Sequence, residues 1–403
     1  MKRGAIYIMV QKKFLALGRV KNCMRELTAY GIARKAEIGS ENVYDFSLGS
    51  PSAPIPESVN QAILASLSLD TVHDRTPDEG LPSFRAAIAK DLSERYGMDV
   101  SADSIYVITG AAGGLAICAN TLLQPGEEAI VFAPFFTEYR VFLEGADGVV
   151  VKVPPAEDFQ PDLEAFAAAI TEKTKLVVVN TPNNPTGAIL SEKSLERISI
   201  ILHEAQDRFG HPIYLISDEP YRELVYDRDS IPCVMNAYEN TIVCYSFSKS
   251  LSLPGERIGY LAVCNKMKDR DNVMSAIRTR ALTLGYSCAP SIMQHALESC
   301  IGMTADLSVY RLNRSLLYDG LTALGFQCVK PEGAFYLFMK SPIPDAKEFS
   351  EAAKKYELLL VPSDDFGITG YMRLAYCVPT DTIRRSMPAF RKLAEDFHLQ
   401  KKN

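Results

Sequence analysis

A lysine set among hydroxyls, Ser246-Phe247-Ser248-Lys249-Ser250, follows the apolar run Thr241 to Tyr245. At a strand end such a lysine loses its proton more readily than an exposed one, and the neutral amine is the nucleophile needed to condense with an aldehyde. Taken alone, a lysine there is usually a surface charge. Three other polar constellations also follow apolar runs. In Thr109-Gly110-Ala111-Ala112-Gly113-Gly114-Leu115 small residues pass from a strand straight into a helix. N–H groups exposed at such a start can hold a phosphate, which glycine lets approach closely, although a tight turn is the plain alternative. Thr181-Pro182-Asn183-Asn184-Pro185-Thr186-Gly187 makes a rigid loop with side-chain amides to offer, or simply a turn. Asp218-Glu219-Pro220-Tyr221 closes another apolar run, where a partly desolvated acid wants a cationic partner unless it only caps a helix. The conjunction of all four, with Arg257 eight residues after Lys249, outweighs the bland reading of each.

The elements that must position these groups alternate between short β-rich runs and helical patterns, which reads as α/β with a largely parallel sheet. Seven strands are expected: Ser104 to Ile108, Ala129 to Phe132, Gly148 to Val153, Lys175 to Asn180, Pro212 to Ser217, Thr241 to Ser246 and Arg257 to Val263. Helices are expected at Leu81 to Tyr96, Gly114 to Leu123, Asp162 to Ile170 and Ser191 to Arg208, as crossovers between parallel strands. Ligands of such sheets bind beyond the carboxyl ends of the strands, where the four constellations fall. After about Pro290 the pattern changes to a smaller α+β lobe. It runs helical to about Leu324, then through Gly325 to Met339, Ala346 to Tyr356, a strand Met372 to Tyr376 and a closing helix from Thr380. Phe46 to Pro56 is extended and joins an N-terminal arm to the large domain. The expected divisions are 1–53 for the arm and part of the small domain, 54–289 for the large domain and 290–403 for the C-terminal part of the small one.

Composition narrows the classes. The 403 residues are 47% apolar and 23% charged, as in an ordinary globular protein long enough for a substantial core. A net charge of -6 leaves no basic excess for a nucleic-acid partner. No run reaches eighteen apolar residues, so no membrane partner is expected, and Ala5 to Val10 is too short for a signal-peptide core. Nine scattered cysteines without a CxxC pair suggest buried thiols in a reducing cytoplasm and no metal site. Lys2, Lys12, Lys13 and Lys21 read as a solvated arm.

With NTPNNPTG, SDEPY, SFSKSLSLPGERIGY and MRLAY in this order between about Leu48 and Arg373, the sequence resembles the class I aminotransferases among the fold-type I pyridoxal-phosphate enzymes. The resemblance implies that fold, with pyridoxal 5'-phosphate as cofactor, a homodimer, and amino acid and 2-oxo acid as substrates. It implies that Lys249 carries the Schiff base, Asp218 pairs with the pyridine nitrogen, and Asn184 and Tyr221 hydrogen-bond the ring hydroxyl. Ala111, Ala112, Ser246, Ser248 and Arg257 match phosphate contacts, with Gly110 beside them. Phe136 matches the aromatic stacked on the pyridine ring, and Arg373 the clamp on the substrate α-carboxylate, with Gly49 and Asn184 lining that site. Pro134 and Pro185 match prolines often held in cis. Two positions depart from the pattern: Arg75, near His73, stands where many relatives have a tyrosine reaching the neighbouring subunit's phosphate, and Gly49-Ser50-Pro51-Ser52-Ala53 lacks the usual acid and aromatic.

The reading is therefore an aminotransferase with ping-pong kinetics, Lys249, Asp218 and Tyr221 being its catalytic residues and aspartate the first guess as substrate. A carbon–sulfur β-lyase shares the same lysine, aspartate and arginine, and a cofactor-binding regulator is a reading of another class. Arg75, Arg140, Arg278 and Arg280 are candidates for a second carboxylate, whereas Tyr286 and Tyr336 could line an aromatic or aliphatic pocket.

Overall fold

A computed structural model describes residues 10–20 and 22–400. Seven strands form one sheet in the order Ile105–Ile108, Gly259–Val263, Thr241–Ser246, Tyr214–Asp218, Thr174–Asn180, Glu128–Phe132, Val149–Val153. Only Gly259–Val263 runs antiparallel to its neighbours. The central strands are buried along their whole length, which explains why they read as continuous apolar runs rather than alternating ones: helices cover both faces. One face packs on Gly110–Leu122 and Arg270–Thr283 around Leu115, Cys244 and Ile277, and the other on Glu192–Phe209 around Ile198 and Leu202. Full burial of each such aliphatic side chain stabilises by roughly 1.5–3 kcal/mol.

Glu192–Phe209 shows the local logic. Ser191 caps its start by accepting from the Ser194 N–H, the apolar residues recur on one face, and Gly210 ends it in the left-handed conformation at φ 71°. Gly114 lets the Gly110–Leu122 helix lie close on the sheet, since a Cβ there would come within 2.9 Å of Cys244 Sγ.

A second core, around Tyr310, Phe335, Leu337 and Phe390, belongs to the smaller lobe. Its sheet pairs Tyr336–Lys340 antiparallel to Tyr371–Ala375, with Phe338 opposite Arg373. Tyr44–Asp45 pairs with Leu358–Leu359, so the segment before the large sheet joins this lobe.

Several boundaries differ from expectation. The helix expected from Gly114 begins at Gly110, whose positive φ of 77° turns the chain directly out of its strand. The long helical region after Pro290 is two helices, Ser291–Glu298 and Ser308–Ala323, separated around Gly302 at φ 80°. The strand expected to end at Ser217 runs one residue further, to Asp218, which closes it as read. Helices Glu57–Ser66, Tyr139–Gly145 and Arg270–Thr283 join those expected. The arm is not all solvated: Lys12–Arg19 and Cys23–Ile38 are helices, and Lys13 binds Asp147 at 2.7 Å and the Gly145 carbonyl at 2.9 Å. Lys2, Lys21 and nearly all of Ala5 to Val10 lie outside the described residues.

Candidate active site

A cavity of about 290 Å³ opens beyond the carboxyl ends of the parallel strands, between the two lobes. Gly49, Ala111, Ala112, Phe136, Asn184, Asp218, Tyr221, Ser246, Ser248, Lys249, Arg257 and Arg373 all line it, so segments from nearly the whole chain converge there.

Lys249 sits in the short helix Phe247–Ser250, just past its strand, and its Nζ donates to the Gly49 carbonyl at 2.6 Å. Burial pulls its pKa down to about 8; Cys377 opposes this, and Arg257 and Arg373 each add to it by less. At neutral pH a useful fraction of the amine is therefore uncharged. Asp218 ends the adjacent strand, and its Oδ2 accepts from the Tyr139 hydroxyl at 2.6 Å while Oδ1 is buried without a partner. Burial pushes its pKa up to about 7; the Tyr139 hydrogen bond opposes this and Glu219 adds to it. The acid thus lacks the cation it was expected to have, and a protonated pyridine nitrogen is a group of the right charge to fill the gap.

Around the helix start at Gly110 the parts of an anion cradle come together. First-turn N–H groups have no intrahelical acceptor. Ser246 and Ser248 hydroxyls lie 2.8 Å apart, and a Cβ at Gly110 would stand 2.7 Å from Arg257 Nη2, so only glycine lets the guanidinium lie over this turn. These donors suit a phosphate.

On the opposite side Arg373, 2% exposed, donates to Asn184 Oδ1 at 3.2 Å and to the Ser47 carbonyl at 2.5 Å, and its Nε has no partner. Asn184 is fixed in turn by its N–H on Asn180 Oδ1 at 2.7 Å. Peptide bonds before Pro134 and Pro185 are cis, as is the one before Pro182. Tyr221 shares a hydrogen bond of 2.8 Å with the Tyr336 hydroxyl, and Phe136 stands edge-on to Tyr139. The residues present therefore fit pyridoxal phosphate at ring nitrogen, ring face and phosphate.

Gly110 itself only abuts the cavity through Arg257. Arg75, Arg140, Arg278 and Arg280 do not line it; the first three are paired with Asp78, Glu144 and Glu79. Tyr336 lines it, whereas Tyr286 packs by Gly113. Sequence reading missed Tyr139 and Met24. Tyr139 had a signal, since a buried Asp218 requires a donor. Met24, whose sulfur is 3.2 Å from Arg373 Nη2, had none, because its placement depends on how the arm folds back.

Comparison with known proteins gives the same answer. A structure of an amino transferase from Eubacterium rectale superposes with a TM-score of 0.94 at 43% identity, covering 97% of this chain and all of that one. The aspartate/prephenate aminotransferase of Thermus thermophilus is 33% identical over 353 residues, 86% of this chain and 89% of that protein. The probable aspartate aminotransferase of Methanocaldococcus jannaschii is 30% identical over 372 residues, 89% of this chain and 95% of that protein. The family model for aminotransferase class I and II matches residues 40–390, and the chain belongs to that family of pyridoxal-phosphate-dependent enzymes.

Proposed function

We propose that this aminotransferase moves the amino group of aspartate to a 2-oxo acid such as 2-oxoglutarate, with Lys249 as the residue that holds the cofactor. The observation that carries the reading is the Lys249 amine, its pKa lowered by burial, facing Gly49 inside a cavity that also holds an unpartnered Asp218 oxygen and the buried Arg373 guanidinium.

When bound, pyridoxal phosphate supplies an aldehyde for amines and a ring that accepts the electrons of a broken Cα–H bond. Gly110, Ala111, Ala112, Ser246, Ser248 and Arg257 would hold its phosphate, Phe136 its ring face, and Asn184 and Tyr221 its ring hydroxyl. Asp218, as an anion, keeps the ring nitrogen protonated. Arg373, with Asn184 and Gly49 beside it, fixes the substrate α-carboxylate in a planar fork of donors. The free Lys249 amine would then take the substrate Cα proton as a general base and give it up as an acid. Two half-reactions in sequence give ping-pong kinetics.

Names of the relatives support aspartate as donor. Lys249, Arg257 and Arg373 are the cavity's cations among the described residues, and each already has a task. A second substrate carboxylate then draws its cation across a homodimer interface, for which the exposed Arg75, Arg278 and Arg280 are the candidates. We place the domains at 1–53 with 290–403, and 54–289, and the enzyme in the cytoplasm, where nine thiols with no disulfide among the described residues are at home.

Borohydride reduction of the holoenzyme followed by peptide mapping tests the linkage: an adduct on the Lys249 peptide is expected, and its absence would overturn the assignment. A screen of amino acids for conversion of the bound aldehyde to the amine form tests the substrate, and a spectrum unmoved by aspartate would remove aspartate as donor.

A further inference from the structure

Tyr336 has no task in the reading above, yet its hydroxyl ends inside the site. It begins the Tyr336–Lys340 strand, is 2% exposed and shares the 2.8 Å hydrogen bond with Tyr221. In the antiparallel register Phe338 lies opposite Arg373, which puts Tyr336 diagonal to Arg373 on the same face of the sheet. The guanidinium accordingly stands 4.8 Å from the centre of the Tyr336 ring. Gly49 closes the other side, because a Cβ there would collide with the Tyr336 hydroxyl. Tyr336 is thus held by a glycine, by a cation on its ring and by a second tyrosine.

Which phenol donates follows from their surroundings. Arg373 over the Tyr336 ring favours partial negative charge on its oxygen and makes it the better donor. Arg373 also acts on Tyr221, but there Asp218 opposes it, whereas at Tyr336 the opposing group is only the Cys377 thiol, whose effect is smaller than that of Arg373. A hydroxyl has one proton to give. When Tyr336 donates, Tyr221 accepts and its own proton is free to point into the cavity.

We infer that Tyr336 is a positioning residue that donates to Tyr221 and so turns the Tyr221 proton toward the cofactor's ring hydroxyl. The inference rests on the proposed placement of Tyr221. Accepting one hydrogen bond also polarises the Tyr221 O–H and strengthens the bond it makes in turn. A donor on the ring oxygen competes with the proton held on the Lys249 nitrogen, so losing that donor, or weakening it, raises the pH at which the bound cofactor changes colour.

The test is the pH titration of visible absorbance in the holoenzyme for wild type, Tyr336→Phe, Tyr221→Phe and the double variant, with cofactor per chain measured in each. Tyr221→Phe should raise the midpoint. Tyr336→Phe should raise it by about half a pH unit, the scale of one hydrogen bond. The double variant should titrate like Tyr221→Phe alone, since the relay is already cut. A Tyr336→Phe midpoint equal to wild type while Tyr221→Phe moves it, or shifts that add in the double variant, overturns the relay. An unmoved midpoint in Tyr221→Phe overturns the placement of Tyr221 itself.

Discussion

Asp218 sets the protein two opposing demands. Its pKa is raised to about 7 in the folded chain against an ordinary 3.8, so the folded state binds more protons than the unfolded one between those values. Stability of the cofactor-free protein therefore falls as pH rises from about 4 to 7, by up to about 4 kcal/mol, and stays lower above that window. Asp218→Asn should be level with wild type near pH 4 and melt higher near pH 8, both without cofactor. Melting temperature against pH reads this, and parallel curves would show that Asp218 is not the strained group. With cofactor bound, the ring nitrogen would supply the missing cation and the wild-type slope should flatten. Lys249 carries a different pH dependence: with its pKa lowered to about 8, capture of pyridoxal phosphate by the apoenzyme should speed up as pH rises through 8 and level off beyond it. Stopped-flow absorbance would show whether the rate follows one group near that value. Lys249, Asp218, Asn184 and Arg373 could be picked out from sequence because each ends or follows an apolar run that must be a buried strand. For Tyr139 the sequence signals only that Asp218 needs a donor, not which one, and for Met24 it signals nothing, since their contacts span 79 residues to Asp218 and 349 to Arg373.

Elements, in contrast to single residues, were legible wherever burial on both faces wrote a continuous apolar run. All seven strands of the large sheet fall within a few residues of their expected ends, including the partly exposed edge strand Val149–Val153, whose valines alone marked it. Helix starts and breaks were less so, because glycine conformation decides them and a glycine's φ is not written in its neighbours. Gly110 is the consequential example: at φ 77° it begins a helix and lies beneath Arg257. Gly110→Ala should lose on both counts, through left-handed backbone strain of about 1–2 kcal/mol and through displacement of the guanidinium. The strain is carried with or without cofactor, so the apoenzyme should melt a few degrees lower, while displacement of the guanidinium should weaken cofactor affinity about ten-fold or more. Calorimetry measures the first and equilibrium dialysis of pyridoxal phosphate the second. Gly126, with open space around it, serves as a control for a positive-φ glycine outside the site.

At the scale of the whole molecule, five of the exposed apolar residues are leucines in two short stretches of the large domain. Leu64, Leu67 and Leu69 end one helix and begin the loop after it, while Leu282 and Leu284 end the Arg270–Thr283 helix. An ion pair between Glu79 and Arg278 ties the segment after the first stretch to the helix that ends in the second. Exposed leucines of this kind, with Arg75, Arg278 and Arg280 exposed a few residues away along the chain, are what a subunit interface would cover. Arg75 stands in the same segment, so the surface that would pair two chains also carries the cations that one cavity lacks. Sedimentation of the wild-type enzyme should give twice the mass of one chain. Replacing Leu67 and Leu282 together by Glu should shift the population toward monomer, since two like charges would then be buried against their symmetry mates. If the interface completes the site, aspartate turnover and cofactor retention should fall with the dimer fraction across a dilution series. A monomeric variant that keeps both in full would mean that each cavity works alone and that its second cation comes from within the chain.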